Sequence, residues 1–230
     1  MPPRRLTHLR ARRAVIAAAR RMNALGLNHV TSGNVGFRVG ERFLVTPSGL
    51  DYDVMAPADI VEMDFDGSQR GTRRPTSEWR FHRDILALRP EVDAVLHSHS
   101  VHCTALAVHG MDIPAVHYMV AAAGGTSIRC APYRTPTTQA LSDVAVKALE
   151  GRRACLLQNH GAIVLGATPD ACVNLLVEVE YLAELYSRTL AIGTATGNDP
   201  KVISQRKMGE VLEMLKTYGK QPGPDSSSKT

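Results

Sequence analysis

Aromatic residues are scarce: one tryptophan, six tyrosines and four phenylalanines make up 5% of the 230 residues. Surfaces that stack nucleic-acid bases interleave aromatics with basic residues, and no such cluster occurs, which argues against a nucleic-acid partner. No apolar run approaches the roughly 18 residues that cross a bilayer. The longest near the start, Ala14 to Ala19, is also too short for a secretory core. The four cysteines (Cys103, Cys130, Cys155, Cys172) include no C-x-x-C pair. Their wide spacing predicts free, buried thiols in a reducing, cytoplasmic compartment, with no membrane partner. Acidic residues are missing before Glu41, while eight arginines precede it; residues 1–40 carry +8 and, for a net +5, the rest carries −3. A loose helical stripe of Leu9, Ala14, Ile16, Ala17, Met22 and Leu25 puts those arginines on a solvated helix face.

What remains is an ordinary globular composition, 44% apolar and 21% charged. The length suits one domain with a sizeable core over residues 1–220, followed by a mobile polar tail, 221–230. A helix is expected over Leu6 to Leu25, stopped by Gly26. A hairpin follows, with Val35 to Val39 and Arg42 to Thr46 around Gly40-Glu41. Val54 to Asp59 reads as short and helical, Ile60 to Phe65 as a strand, and Gln69 to Arg74 as a polar loop. A helix opens at Pro75-Thr76-Ser77 with Trp79, Ile85, Leu86 and Leu88 on its apolar face. Beyond the strand around Ala94 to Ser100, helices are expected over Val101 to Val108, Thr137 to Leu149, Thr168 to about Ala191 and Ser204 to Thr217. Pro114 to Tyr118, Ser127 to Ala131, Ala154 to Gln158 and Ala162 to Leu165 read as strands, and Ala121 to Gly125 ends as a loop. Helices and strands mix throughout, so one sheet covered by helices is expected.

The chemistry centres on Ala94-Val95-Leu96-His97-Ser98-His99-Ser100. In a strand, His97 and His99 project from the same face, which supplies two of three ligands for a catalytic zinc; the competing reading is two ordinary strand histidines bonded to backbone or water. His160 is the candidate third ligand, on the tight turn Asn159-His160-Gly161 between two apolar segments. The other six histidines (His8, His29, His82, His102, His109, His117) read as surface or hydrogen-bonded core residues. Glu78 is the candidate acid/base; in isolation it reads more readily as a first-turn glutamate favoured by the helix dipole. Three turns offer hydroxyls or glycine to an anion: Thr31-Ser32-Gly33-Asn34, Ser48-Gly49 and Thr76-Ser77. None is a known nucleotide fingerprint, and each alone reads as a plain turn.

These segments, with Ser77-Glu78-Trp79-Arg80-Phe81-His82, Val101-His102-Cys103-Thr104-Ala105, Ile113 to Met119, Ala121 to Gly125, Cys130-Ala131-Pro132-Tyr133 and Leu156 to Gly161, occur in one order over most of residues 10–220. The order resembles the class II aldolase and adducin-head family, most closely its L-fuculose-phosphate aldolase branch. The resemblance implies an α/β fold, three-layer α/β/α around a largely antiparallel sheet, assembled as a C4 homotetramer with sites between subunits. It implies one Zn²⁺ per subunit held by His97, His99 and His160, with Glu78 as the base. Thr31, Gly33, Asn34, Ser48, Gly49, Thr76 and Ser77 would bind the substrate phosphate. Tyr118 would reach a neighbouring subunit's site to protonate the aldehyde oxygen, and Tyr218 would lie near the aldehyde. Pro136 departs from that pattern, standing where an aromatic lines the aldehyde side. The activity implied is reversible cleavage of a ketose 1-phosphate, such as L-fuculose 1-phosphate, to dihydroxyacetone phosphate and an aldehyde such as L-lactaldehyde. Rivals on the same site are a pentulose-phosphate 4-epimerase, against which Glu78 counts because those enzymes typically carry aspartate there, a methylthioribulose-phosphate dehydratase and a sugar-acid-phosphate decarboxylase. A non-catalytic adducin-like interaction module is the alternative from another class; such modules have lost metal ligands that this chain keeps.

Overall fold

In a computed structural model, which describes residues 6–217, a nine-stranded sheet carries helices on both faces. The strands are β1 (Asn34–Val39), β2 (Arg42–Val45), β3 (Val61–Asp64), β4 (Gln69–Arg70), β5 (Ala94–Ser98), β6 (Ile113–Pro114), β7 (Ser127–Ala131), β8 (Ala154–Leu157) and β9 (Gly161–Gly166). Their order is β4-β3-β2-β1-β5-β9-β8-β7-β6. All neighbours are antiparallel except β7 and β8.

Both faces of the central strands are apolar because both are covered. Ala94 and Leu96 of β5, Leu156 of β8 and Val164 of β9 join one core. Their alternates Val95, Leu157 and Ile163 join the other. The first core is closed by helices α1 (Leu9–Ala24), α3 (Val101–Val108), α5 (Pro169–Thr196) and α6 (Gln205–Leu215). The second is closed by α2 (Trp79–Leu88) and α4 (Gln139–Ala148). His97 continues the odd-numbered face of β5, beneath α2.

Several sequence expectations need correction. The α1 arginines are not merely solvated: Arg12 is buried, paired with Glu62 at 2.9 Å, and also donates to the carbonyls of Thr7 and Pro57. Arg20 donates to the carbonyls of Tyr52, Asp53 and Met55. These arginines fasten the helix to the loop before β3, a role that a count of charges does not reveal. The loop expected at 69–74 begins with β4, recruited because β3 presents a free edge. Leu88 is exposed on α2, where Phe81 and Ile85 fill the core. The expected strand at 114–118 shrinks to β6, and Tyr118–Ala123 coils into a 3-10 helix ended by Gly124. α5 continues past Ala191 to Thr196, where Gly197 in the left-handed region stops it. Among the described residues no helix is long and apolar enough to cross a membrane. Tyr218 and the tail 221–230 lie outside the described residues.

Candidate active site

The sheet's own directions collect the site at one edge. β2 and β5 end there, and β1 and β9 begin there, so Asn34 lies directly across from His97 and Ala162 across from Ser98. His160 sits on the turn between β8 and β9. That turn is pinned by main-chain bonds from Gln158 to the Ala131 carbonyl and from Asn159 to the Ala107 carbonyl. Gly161 lets the turn close: a Cβ there would stand 2.2 Å from the Ser98 carbonyl oxygen.

The three histidines form a compact triangle, with ring centroids 4.7, 4.9 and 5.0 Å apart and edges turned towards faces. One nitrogen of each lies within 4.8 Å of the others. The His97 Nδ1 faces the Ala162 carbonyl oxygen at 3.0 Å, so this nitrogen carries the proton and Nε2 presents its lone pair. That lone pair points at His99 Nε2, 3.0 Å away, and at Glu78 Oε2, 3.3 Å away. Glu78 Oε1 lies 3.2 Å from His160 Nε2 and has no other partner among the described residues.

Burial drives His97 down to about 3, a tendency that the Glu78 carboxylate opposes. His99 is lowered by burial and by His160. Burial by itself pushes the Glu78 carboxyl up, but His97, His160 and the Asn34 amide outweigh it and hold it below the usual range. The result is an ionised carboxylate beside His97 and His99, whose burial favours their neutral forms. Acceptor atoms converging in this way suit a divalent cation, and three imidazole nitrogens match the donors zinc takes in catalytic sites, which keep a further position open.

Glu78 is the N-cap residue of α2, one position earlier than the first turn, and its side chain makes no capping bond. The helix starts at Trp79 because Thr76 is held in an extended bridge. Thr76 N donates to the Thr46 carbonyl and Ser48 N to the Arg74 carbonyl, with Pro47 opposite Pro75. That bridge places Ser48-Gly49 beside Thr76-Ser77. Thr46 in turn bonds to Val35 at the start of β1, which brings the turn from Thr31 to Asn34 alongside.

A depression of about 430 Å³, the size of a small-ligand pocket, is lined by Ser32, Ser77, Glu78, His99, Asn159 and His160. Pro136 and Thr137 form its other wall. Of the remaining anion candidates, Ser48 and Gly49 are exposed while Thr76 and Asn34 are buried. Gly33 has its carbonyl occupied by the Tyr52 hydroxyl. Tyr118 is exposed, lies tilted against the His117 ring at 4.7 Å and is not among the residues lining the depression.

Sequence reasoning missed Thr137 and Asn159, both in the left-handed region at φ +72° and +56°. Asparagine tolerates that conformation, whereas threonine rarely adopts it, and strained residues gather at functional sites. The signal available was the Asn-His-Gly turn, read for its histidine alone. His82 is a hydrogen-bonded core histidine, as one of the two expected readings had it: it is fully buried beneath β1, with Nε2 2.5 Å from Asn34 Oδ1, a partner the sequence did not indicate.

A sequence profile of the class II aldolase and adducin N-terminal domain matches residues 13–187. A 5-methylthioribulose-1-phosphate/5-deoxyribulose-1-phosphate aldolase of Rhodospirillum rubrum is 50% identical over 208 residues, covering 90% of this chain and 92% of that protein. The L-fuculose phosphate aldolase of Escherichia coli K12 is 45% identical, covering 90% and 94%. A solved L-fuculose 1-phosphate aldolase superimposes with a TM-score of 0.87 at 33% identity, over 92% of this chain and 98% of that one. A profile spanning most of the chain, and relatives of this identity and coverage, leave one assignment: the chain belongs to the class II aldolase and adducin N-terminal domain family, as an aldehyde-lyase of the metal-dependent class.

Proposed function

We propose that the enzyme cleaves a ketose 1-phosphate between C3 and C4, giving dihydroxyacetone phosphate and an aldehyde, with zinc held by His97, His99 and His160. The observation that carries this reading is the buried Glu78 carboxylate, placed between the histidine triangle on one side and the Thr76-Ser77 turn on the other. Zinc, when bound, supplies positive charge that offsets the negative charge developing on the substrate oxygens. The chain's own groups do the rest. The turns at Thr31 to Asn34, Ser48-Gly49 and Thr76-Ser77 hold the phosphate, remote from the bond that breaks, and so fix its register. The C4 hydroxyl gives up its proton, which is relayed to the Glu78 carboxylate; the C3–C4 electron pair moves towards C2, the aldehyde departs, and Glu78 returns that proton to C3. Tyr118 of a neighbouring subunit in a homotetramer is assigned the proton exchanged at the aldehyde oxygen. A single domain over 1–220 and a cytoplasmic location complete the reading.

The names of the relatives and of the solved structure describe L-fuculose 1-phosphate, 5-methylthioribulose 1-phosphate and 5-deoxyribulose 1-phosphate as substrates of those proteins. All three share the phosphorylated half and differ beyond C4. Pro136, in place of an aromatic, leaves more length on that side, which favours the methylthio compound. It is therefore offered as an aldolase substrate, not a dehydratase one. The test is dihydroxyacetone phosphate release by the zinc-loaded protein from each of the three ketose phosphates, with the carbon products identified. Release from at least one, fastest from the methylthio compound, is expected. Stoichiometric zinc with no release from any, or a dehydrated or epimerised product, overturns the assignment.

A further inference from the structure

His82 follows Glu78 by four residues, so the two side chains leave the same face of α2, one turn apart. Between them stands Asn34, the residue across from His97. Its amide nitrogen donates to Glu78 Oε2 at 3.1 Å, and its carbonyl oxygen faces His82 Nε2 at 2.5 Å. An amide that donates at one end to a carboxylate must accept at the other, so His82 Nε2 carries the proton. The second ring nitrogen, Nδ1, is then bare. It is fully buried and has no partner among the described residues.

The strand has made room for this ring. At Gly36, two residues along β1 from Asn34, a Cβ would lie 2.5 Å from His82 Nδ1. Glycine there lets the imidazole press flat against the strand and reach the amide. Neither His82 nor Gly36 lines the depression, and a histidine without a second partner has no evident value for stability alone.

We propose that His82 is a positioning residue that fixes the Asn34 amide in one orientation, so that its NH₂ end always faces Glu78. One N–H then holds the carboxylate, and the other remains free for the substrate. Without the imidazole proton the amide can turn over, and its oxygen would oppose a carboxylate in a buried site, where like partners repel strongly. The inference deepens the aldolase reading and rests on it for the kinetic consequence, but the hydrogen-bond chain itself can be measured without turnover.

The test has two arms. In zinc-loaded protein carrying ¹⁵N-histidine, long-range ¹⁵N–¹H spectra should show His82 as the neutral tautomer protonated at Nε2, and Asn34→Leu should remove that preference. In steady-state assays His82→Leu should lower kcat about 10- to 100-fold, the usual cost of losing a supporting hydrogen bond, with zinc content and folding retained. His82→Gln, which keeps a donor at the Nε2 position, should recover most of that loss. In an Asn34→Ala background His82→Leu should change kcat less than about twofold, as expected for residues acting through one contact. A proton on Nδ1, equal losses for the leucine and glutamine variants, or a full additional loss in the Asn34→Ala background would each overturn the proposal. An inactive wild-type protein with the Nε2 tautomer would instead refute the reaction and leave the positioning intact.

Discussion

Glu78 stands where a helix-start carboxylate ordinarily turns back to accept from the first free amides of the helix. Here it makes no capping bond and points outward to His97, His160 and Asn34. The stability forgone at the cap leaves an ionised, buried group free to move a proton. Glu78→Gln keeps the size and the Asn34 contact, so it should bind zinc nearly as well while kcat falls by about 10²- to 10⁴-fold, the range for a lost general base. Metal analysis beside steady-state rates checks both halves. The histidine triangle was legible because period-two projection and a turn are properties of short segments. The link from His82 through Asn34 to Glu78 was not. It needs α2 laid over β1 across a gap of 48 residues, and in the sequence His82 is only a histidine in a helix.

At the scale of elements, α1 is fastened to β3 by Glu62, which receives Arg12 at 2.9 Å and Arg42 at 2.9 Å. Burial pushes the Glu62 carboxyl up, but Arg42, Thr7 and Arg12 outweigh it and hold it below its ordinary value. A lowered carboxylate contributes its stability above the unfolded-state value, about 4.3, and loses it as pH falls through the folded value. Glu62→Gln should therefore destabilise by about 3 kcal/mol at neutral pH, the scale of breaking a buried pair. The gap to wild type should close as acid protonates the native carboxylate. Denaturant unfolding at a series of pH values measures it. The start of α5 at Thr168 was readable in advance because its cap is a local bond between a hydroxyl and an amide three residues on. β4 was not readable, since it forms only against an edge supplied by another strand.

For the whole molecule, a sheet covered by helices followed from the mixing of helical and strand segments along the chain, and the three layers from the family resemblance, whereas the strand order did not. β1 pairs with β5, and β5 with β9, across long separations that no local pattern encodes. The proposed assembly has a testable consequence at Tyr118, which is exposed and absent from the lining of the depression that holds Glu78. If sites form between subunits, Glu78→Gln and Tyr118→Phe chains, each impaired alone, should regain activity when refolded together. Some mixed sites would then take both functional residues from intact partners. Additive, unrecovered rates would place Tyr118 outside the reaction or within its own subunit's site.

The central claim is that one metal ion at His97, His99 and His160 makes Glu78 an aldolase base. The most direct measurement is dihydroxyacetone phosphate release from a cleavable ketose 1-phosphate as zinc is titrated into chelator-treated protein. Negligible release at the start, a linear rise, a break at one zinc per chain, and no rise for His160→Ala are expected. Undiminished release from the metal-free protein, or an unchanged titration in His160→Ala, would contradict the claim.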